Sequence, residues 1–177
     1  TITVGGVTVT ATPIGSSSDH SYIFNGWINS CGSTVATNCT ITANFAQTGR
    51  TYAVTIAKNN DYGTVSKNVI NVPYGAPITI NGKTANINNT SITATPYSNT
   101  AQYTYYFSDW TNNCGSTVVN DCTIIANFAR YDNSYTITIA SNNNSYGAVS
   151  LSRISATYGS SITTNNNTLT INGTKIT

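Results

Sequence analysis

Charge is the property this chain most lacks. Its 177 residues carry seven Lys or Arg and five acidic side chains, and Glu is absent. Charged residues make up 7% of the chain, against roughly a quarter in an average soluble domain. The net charge is only +2, and Lys58, Lys67, Lys83 and Arg153 form no run. That excludes the basic footprint of a nucleic-acid binder. Five scattered aspartates leave no paired acids for glycoside hydrolysis and no acidic loop for calcium. No apolar run approaches the roughly 18–20 residues of a membrane helix. Apolar spacing at helical period is also missing, and strong helix formers are scarce. There is no G-x-S-x-G, no phosphate-cradling glycine loop and no D-x-D-x-D-G. Nothing here reads as an enzyme, and no cofactor is implied.

Thr, Ser, Asn and Tyr fill the space that charge vacates. Solubility then rests on neutral hydrogen-bonding groups, which respond little to pH or salt. Weak self-repulsion also lets copies pack closely.

The chain also says the same thing twice. Residues 22–46 match residues 105–129 at 16 of 25 positions, at a constant offset of 83. Tyr52-Ala-Val-Thr-Ile-Ala returns as Tyr135-Thr-Ile-Thr-Ile-Ala, Tyr62-Gly-Thr-Val-Ser as Tyr146-Gly-Ala-Val-Ser, and Tyr74-Gly as Tyr158-Gly, the offset moving to 84. A fixed period marks a repeat architecture in which each copy is a structural unit. The single histidine, His20, faces Tyr103 in the next copy, so no catalytic base recurs. Lys58, Lys67 and Lys83 face Ser141, Leu151 and Asn167, so no cross-linking lysine recurs either.

The phase divides the chain into 1–49 (the end of one copy), 50–132 (a complete copy) and 133–177 (the start of a third). Equivalently, it holds 1–83 and 84–167 with an overlap strand at 168–177. The first ten residues, TITVGGVTVT, resemble TANINNTSIT at 84–93 and the last ten, TLTINGTKIT. Two accounts fit this overlap. Either the polypeptide continues as a tandem array, or one chain's terminal strand completes the sheet of the next.

Each copy carries one pair of cysteines in the frame C-G-S-T-V-x-x-x-C: Cys31 with Cys39, and Cys114 with Cys122. Seven intervening residues, with no C-x-x-C and no nearby His, fit zinc poorly and fit a local hairpin-loop disulfide well. Such bonds place the chain in an oxidising compartment, outside the cell or on its surface. Six N-glycosylation sequons, at Asn38, Asn88, Asn89, Asn143, Asn166 and Asn172, agree with that address.

The expected fold is all-β. Residues 7–13, 52–56, 78–80, 135–139 and 169–171 alternate in period two and are rich in Thr and β-branched residues, and the unit is expected to run strand 52–57, short strand 63–66, strand 78–80, hairpin 84–95, aromatic strand 103–110 and closing strand 123–128. Gly5-Gly6, Asn81-Gly82 and Asn172-Gly173 mark turns. The pattern leaves room for one short irregular helix that it does not place. The core aromatics are expected to be Tyr22, Phe24, Trp27 and Phe45, repeated as Tyr105, Phe107, Trp110 and Phe128. Trp27 falls out of phase with Tyr22 and Phe24, which implies a bulge near Gly26 or a place over the sheet edge. A repeated Trp also suits stacking on a sugar, but a position fixed beside the cystine is what a small sheet needs as a lid.

An opening Y-x-V/I-T-I, then Y-G-x-V-S, a Tyr-Gly step, T-x-T-A-T-P, Y-x-F-x-x-W and a closing I-x-A-N-F resembles the tandem bacterial and archaeal surface repeats of the InlB B-repeat (Listeria-Bacteroides repeat) type. The resemblance covers essentially the whole chain in permuted phase. It implies small β-rich, β-grasp-like units strung into an elongated rod, used as a stalk or spacer and sometimes for adhesion. The cystine loop and the charge depletion depart from that family and favour a tightly packed fibre. The expected function is therefore structural: a unit of an extracellular filament, stalk or cell-surface array, joined through a shared or exchanged hairpin. Its partners would be copies of itself or further repeats. The alternative is an adhesin module that binds surface glycans or a host protein through tyrosines such as Tyr103, Tyr105 and Tyr106.

Overall fold

Threonine and β-branched residues alternating along the chain become strand wherever a turn residue lets the backbone reverse. The computed structural model describes residues Thr1–Thr177 and is all-β, with eighteen strands and no helix. Two short strands, β1 (Ile2–Val4) and β2 (Val7–Val9), precede the long aromatic strand β3 (His20–Asn29) and β4 (Ile41–Gly49). The complete copy follows: β5 (Thr51–Lys58), β6 (Gly63–Val65), β7 (Val69–Pro73), β8 (Ala76–Asn81), β9 (Thr84–Ile87), β10 (Thr90–Pro96), β11 (Tyr103–Asn112), β12 (Thr117–Val118) and β13 (Cys122–Asp132). Last come β14 (Ser134–Thr138), β15 (Arg153–Thr157), β16 (Ile162–Asn165), β17 (Thr168–Ile171) and β18 (Thr174–Ile176).

Two compact units share these strands. One holds Thr1–Ala57, Ser66–Thr93 and Trp110–Ile125; the other holds Lys58–Val65, Ala94–Asp109 and Ala126–Thr177. The complete copy forms a five-stranded sheet, β12-β8-β9-β10-β6, and a four-stranded sheet, β11-β13-β5-β7. Hydrogen-bonded order in the partial copies is simpler: β1-β2 and β3-β4 at one end, β14-β15 and β16-β17-β18 at the other.

Local geometry repeats as closely as sequence does. The β1-β2 hairpin turns on Gly5 and Gly6 (φ 55° and 79°), β9-β10 on Asn88 and Asn89 (47° and 64°), and β17-β18 on Asn172 and Gly173 (46° and 81°). Two consecutive left-handed residues give the turn whose twist matches paired antiparallel strands, which is why only Gly and Asn stand there. The Arg50 amide donates to the Asp19 carbonyl at 2.8 Å, and the Asn133 amide to Gln102 at 2.8 Å. The Tyr52 hydroxyl donates to the Ser18 carbonyl, and the Tyr135 hydroxyl to that of Ala101. Each copy is thus pinned to the loop before the preceding aromatic strand in the same way.

Three features differ from the sequence expectation or sharpen it. The helix for which room was left does not form. Strands β7 and β12 are additional, and each is fixed by a distant partner: Tyr52 opposite Val72, and Val118 opposite Ala76. The β3-β4 register shifts between Phe24 and Trp27, with Gly26 at φ 110°, so a bulge does re-aim Trp27.

Candidate assembly surfaces

Both cysteine pairs are disulfides, Cys31–Cys39 and Cys114–Cys122, with Cα atoms 5.1 and 5.2 Å apart. Each loop is built alike. The Asn29 side chain accepts from the Cys31 amide (2.8 Å) and donates to the Gly32 carbonyl (2.9 Å). Asn112 does the same with Cys114 (2.9 Å) and Gly115 (2.7 Å). Of the six sequon asparagines, Asn38, Asn88, Asn89, Asn166 and Asn172 are exposed and Asn143 is half-buried.

No group of three or more His, Cys, Asp or Glu side chains is placed to hold a metal ion. Ser17, Asp19 and His20 do meet: Ser17 Oγ donates to Asp19 at 2.7 Å, and His20 Nδ1 lies 2.8 Å from the same carboxylate. The serine hydroxyl spends its proton on the aspartate instead of facing an imidazole base, so the trio lacks the hydrogen bond that activates a nucleophile. The Ser17 bond holds the Asp19 carboxyl below its ordinary value, aided by His20.

Tyr103 and Tyr105 belong to a packed cluster. Tyr105 touches Tyr62 (5.7 Å between ring centres), Tyr97 (6.3 Å) and Tyr103 (6.0 Å). The Arg130 guanidinium lies 3.9 Å from the Tyr103 ring centre and 4.8 Å from that of Tyr62. Tyr106 points the other way, toward Tyr131, because neighbouring residues on a strand face opposite sides.

Of the aromatics expected in the core, one pair, Phe45 and Phe128, separates by copy. Phe128 is 1% exposed. Tyr105, Phe107 and Trp110 are half-buried, as are Tyr22, Phe24 and Trp27. Phe45, the counterpart of Phe128, is 45% exposed and so departs from the core position expected of it. Sheet order gives the cause. Strand β13 lies between β11 and β5, whereas its counterpart β4 has only β3 beside it. Around Phe128 the ring rests on Gly63, where a Cβ would collide with it. The Phe128 amide donates to Asn59 Oδ1 (2.9 Å) and its carbonyl accepts from Asn60 Nδ2 (2.7 Å). The counterpart of Gly63 is Gly147, which has open space where a Cβ would stand.

The same contrast recurs at other paired positions. Val118 is 0% exposed and Val35 67%; Ile78 is 6% exposed and Ile162 58%. Ile87 and Ile92 are buried, whereas Val4 and Val9 are exposed. Tyr62 is half-buried in the tyrosine cluster, whereas Tyr146 is 89% exposed. Three grooves lie in the partial copies. One of about 420 Å³ is bounded by Ile2, Val4, Cys31, Val35 and Ile41. A second of about 220 Å³ is lined by Thr12, Ile14, Tyr22 and Phe45. The third, about 230 Å³, includes Ile139, Val149, Leu169 and Ile176. The first two lie in the opening partial copy and the third in the closing one. No helix is long and apolar enough to cross a membrane.

The exposed apolar positions of the partial copies form the candidate surface. The alignment at offset 83–84 carries the signal in the sequence, but which apolar positions are left open depends on strand order, which the alignment does not contain. Comparison with protein-family models, curated proteins and solved structures finds no match to the chain.

Proposed function

We propose that this chain is a structural repeat unit of an extracellular filament, stalk or cell-surface array, joined to its neighbours through β-strands. The observation that carries this reading is the burial contrast between copies. Several apolar positions sealed in residues 50–132 have exposed counterparts in one partial copy or the other, Val118 at Val35, Phe128 at Phe45 and Ile78 at Ile162, and exposed apolar surface of that kind on a protein with little charge is what a neighbouring repeat or subunit would cover. Two disulfides and the sequons support an oxidising, extracellular setting. The motifs shared with B-repeat surface proteins support a stalk-like use, and membership of that group is part of the same proposal. The adhesin alternative retains the exposed Tyr106–Tyr131 pair, since Tyr103 and Tyr105 are engaged in packing.

The test is sedimentation and negative-stain electron microscopy of the purified, oxidised chain across a concentration series. Linear assemblies that lengthen with concentration are expected. A monomer throughout the micromolar to millimolar range would count against the proposal.

A further inference from the structure

The chain offers an oxidant few places to react. It has no methionine and no free cysteine, the side chains that oxidise most readily. The indole nitrogens of Trp27 and Trp110 are buried. Twelve tyrosines remain, and one pair among them stands apart. Tyr106 on β11 and Tyr131 on β13 are 43% and 57% exposed. Their ring centres are 6.1 Å apart and their planes are inclined by 47°.

Two observations separate this pair from the tyrosines that pack. The aromatics that build the strand pair recur between copies, Tyr105 at Tyr22, Phe107 at Phe24 and Trp110 at Trp27. Tyr106 and Tyr131 face Ile23 and Thr48 instead, so the fold does not require tyrosine at either place. The second observation concerns charge. The Arg130 guanidinium faces Tyr103 and Tyr62 in the packed cluster, and that of Arg50 lies 5.5 Å from the ring centre of Tyr52, which pairs with Tyr74. A cation beside a ring opposes removal of an electron from it. Tyr106 lies on the opposite side of its strand from Tyr105 and the cluster under Arg130.

We propose that Tyr106 and Tyr131 are a site of oxidative cross-linking, joined as dityrosine by hydrogen peroxide and a haem peroxidase. The peroxidase takes one electron from each phenol, and each phenol releases its proton. The two phenoxyl radicals couple through ring carbons ortho to the hydroxyls. The hydrogens at the new carbon–carbon bond move to the oxygens and restore both phenols. The two electrons and two protons reduce one peroxide to two waters. Exposed side chains change rotamer within nanoseconds, so neighbouring ring edges meet without movement of the backbone.

The position gives the bond a use. The Cys114–Cys122 disulfide closes the β11-β13 hairpin at its loop end. Tyr106 and Tyr131 lie toward its open end, where the chain enters at Tyr103 and leaves for β14. Tension along a stalk pulls at that end and unzips the strands toward the cystine. A bond between Tyr106 and Tyr131 passes the tension across the mouth of the hairpin and shields the strands behind it. That use rests on the stalk reading above; the coupling chemistry does not.

The test oxidises the dilute chain with a haem peroxidase and hydrogen peroxide, isolates the monomer and digests it with trypsin. Cleavage after Lys83, Arg130 and Arg153 places Tyr106 in peptide 84–130 and Tyr131 in peptide 131–153. The two peptides are expected to appear linked, lighter by two hydrogens than their sum and with dityrosine fluorescence, and fragmentation places the bond. Tyr106→Phe and Tyr131→Phe keep the exposed rings and should keep the circular dichroism spectrum, yet each should abolish the linked species. Tyr97→Phe, at a tyrosine 45% exposed, should leave it intact. No coupling, coupling confined to other tyrosines, or a 106–131 link lost equally in Tyr97→Phe would overturn the inference and leave the stalk reading standing. A chain that couples at this pair but never assembles in sedimentation would uphold the site and remove its mechanical use.

Discussion

Phe128 and Phe45 occupy one position of the repeat, and their substitution by alanine separates a sealed copy from an open one. Phe128 is 1% exposed and contacts Phe107 edge-on at 5.9 Å. Removing a ring so enclosed forfeits its transfer free energy and leaves a cavity, at a cost of about 3–5 kcal/mol. Phe45 is 45% exposed. Only about half of the 1.5–3 kcal/mol for burying such a side chain is at stake, and solvent occupies the space it leaves. The expected loss is about 1 kcal/mol. The assay is urea denaturation of dilute, monomeric samples. At about 1–3 kcal/mol per molar urea, the Phe128→Ala midpoint should fall by about 2 M and the Phe45→Ala midpoint by about 0.5 M. Near-equal shifts would refute the claim that the first partial copy is open.

Gly63→Ala should destabilise the complete copy by about 1–3 kcal/mol, because the new methyl group meets the Phe128 ring, while Gly147→Ala in the dilute chain should change thermal stability by less than about 1 kcal/mol. Replacing Cys114 and Cys122 by serine should cost about 2–3 kcal/mol for a loop this short, read by chemical denaturation. The same change at Cys31 and Cys39 should cost less in the monomer, since Val118 is buried and Val35 exposed. Arg130→Ala should lower stability by about 1–2 kcal/mol through loss of its stacking on Tyr103 and Tyr62, and Arg130→Lys should restore part of it. Stability should be nearly flat between about pH 5 and 9. The Ser17 hydrogen bond lowers the Asp19 pKa from 3.8, so that contribution is present above 3.8 and is lost as pH falls through the folded value. The Asp61 partner raises the Lys58 pKa from 10.5, so its contribution is present below 10.5 and is lost as pH rises. A thermal midpoint that moves by more than about 5 °C within that window would contradict this.

Strands governed by local pattern were legible in the sequence. Alternation placed β5 and β8, Asn and Gly placed the hairpin turns, and the failure of Trp27 to keep phase located the bulge at Gly26. The cysteine frame placed both disulfides. What stayed hidden depends on partners far along the chain. Strand β7 reads as Val-Ile-Asn-Val-Pro, with Asn and Pro weakening its β signal, and it becomes a strand because β5 pairs with it. Strand β12 is two residues of a cystine loop, ordered by β8. Phe45 and Phe128 sit in nearly identical sequence, T-I-T-A-N-F against T-I-I-A-N-F, yet only one is buried. No local pattern can tell them apart, because the difference lies in whether a third strand is present. The tyrosines proposed for binding were equally ambiguous: a row of Tyr reads alike whether it faces solvent or, as with Tyr103 and Tyr105, a guanidinium and other rings.

The most direct measurement is amide hydrogen exchange of β4 and of β13 in one sample, followed from dilute to concentrated solution. The β4 amides are predicted to exchange quickly when dilute and to approach the protection of β13 as chains assemble, while β13 stays constant. Exchange in β4 that matches β13 when dilute, or that never slows with concentration, would contradict the account.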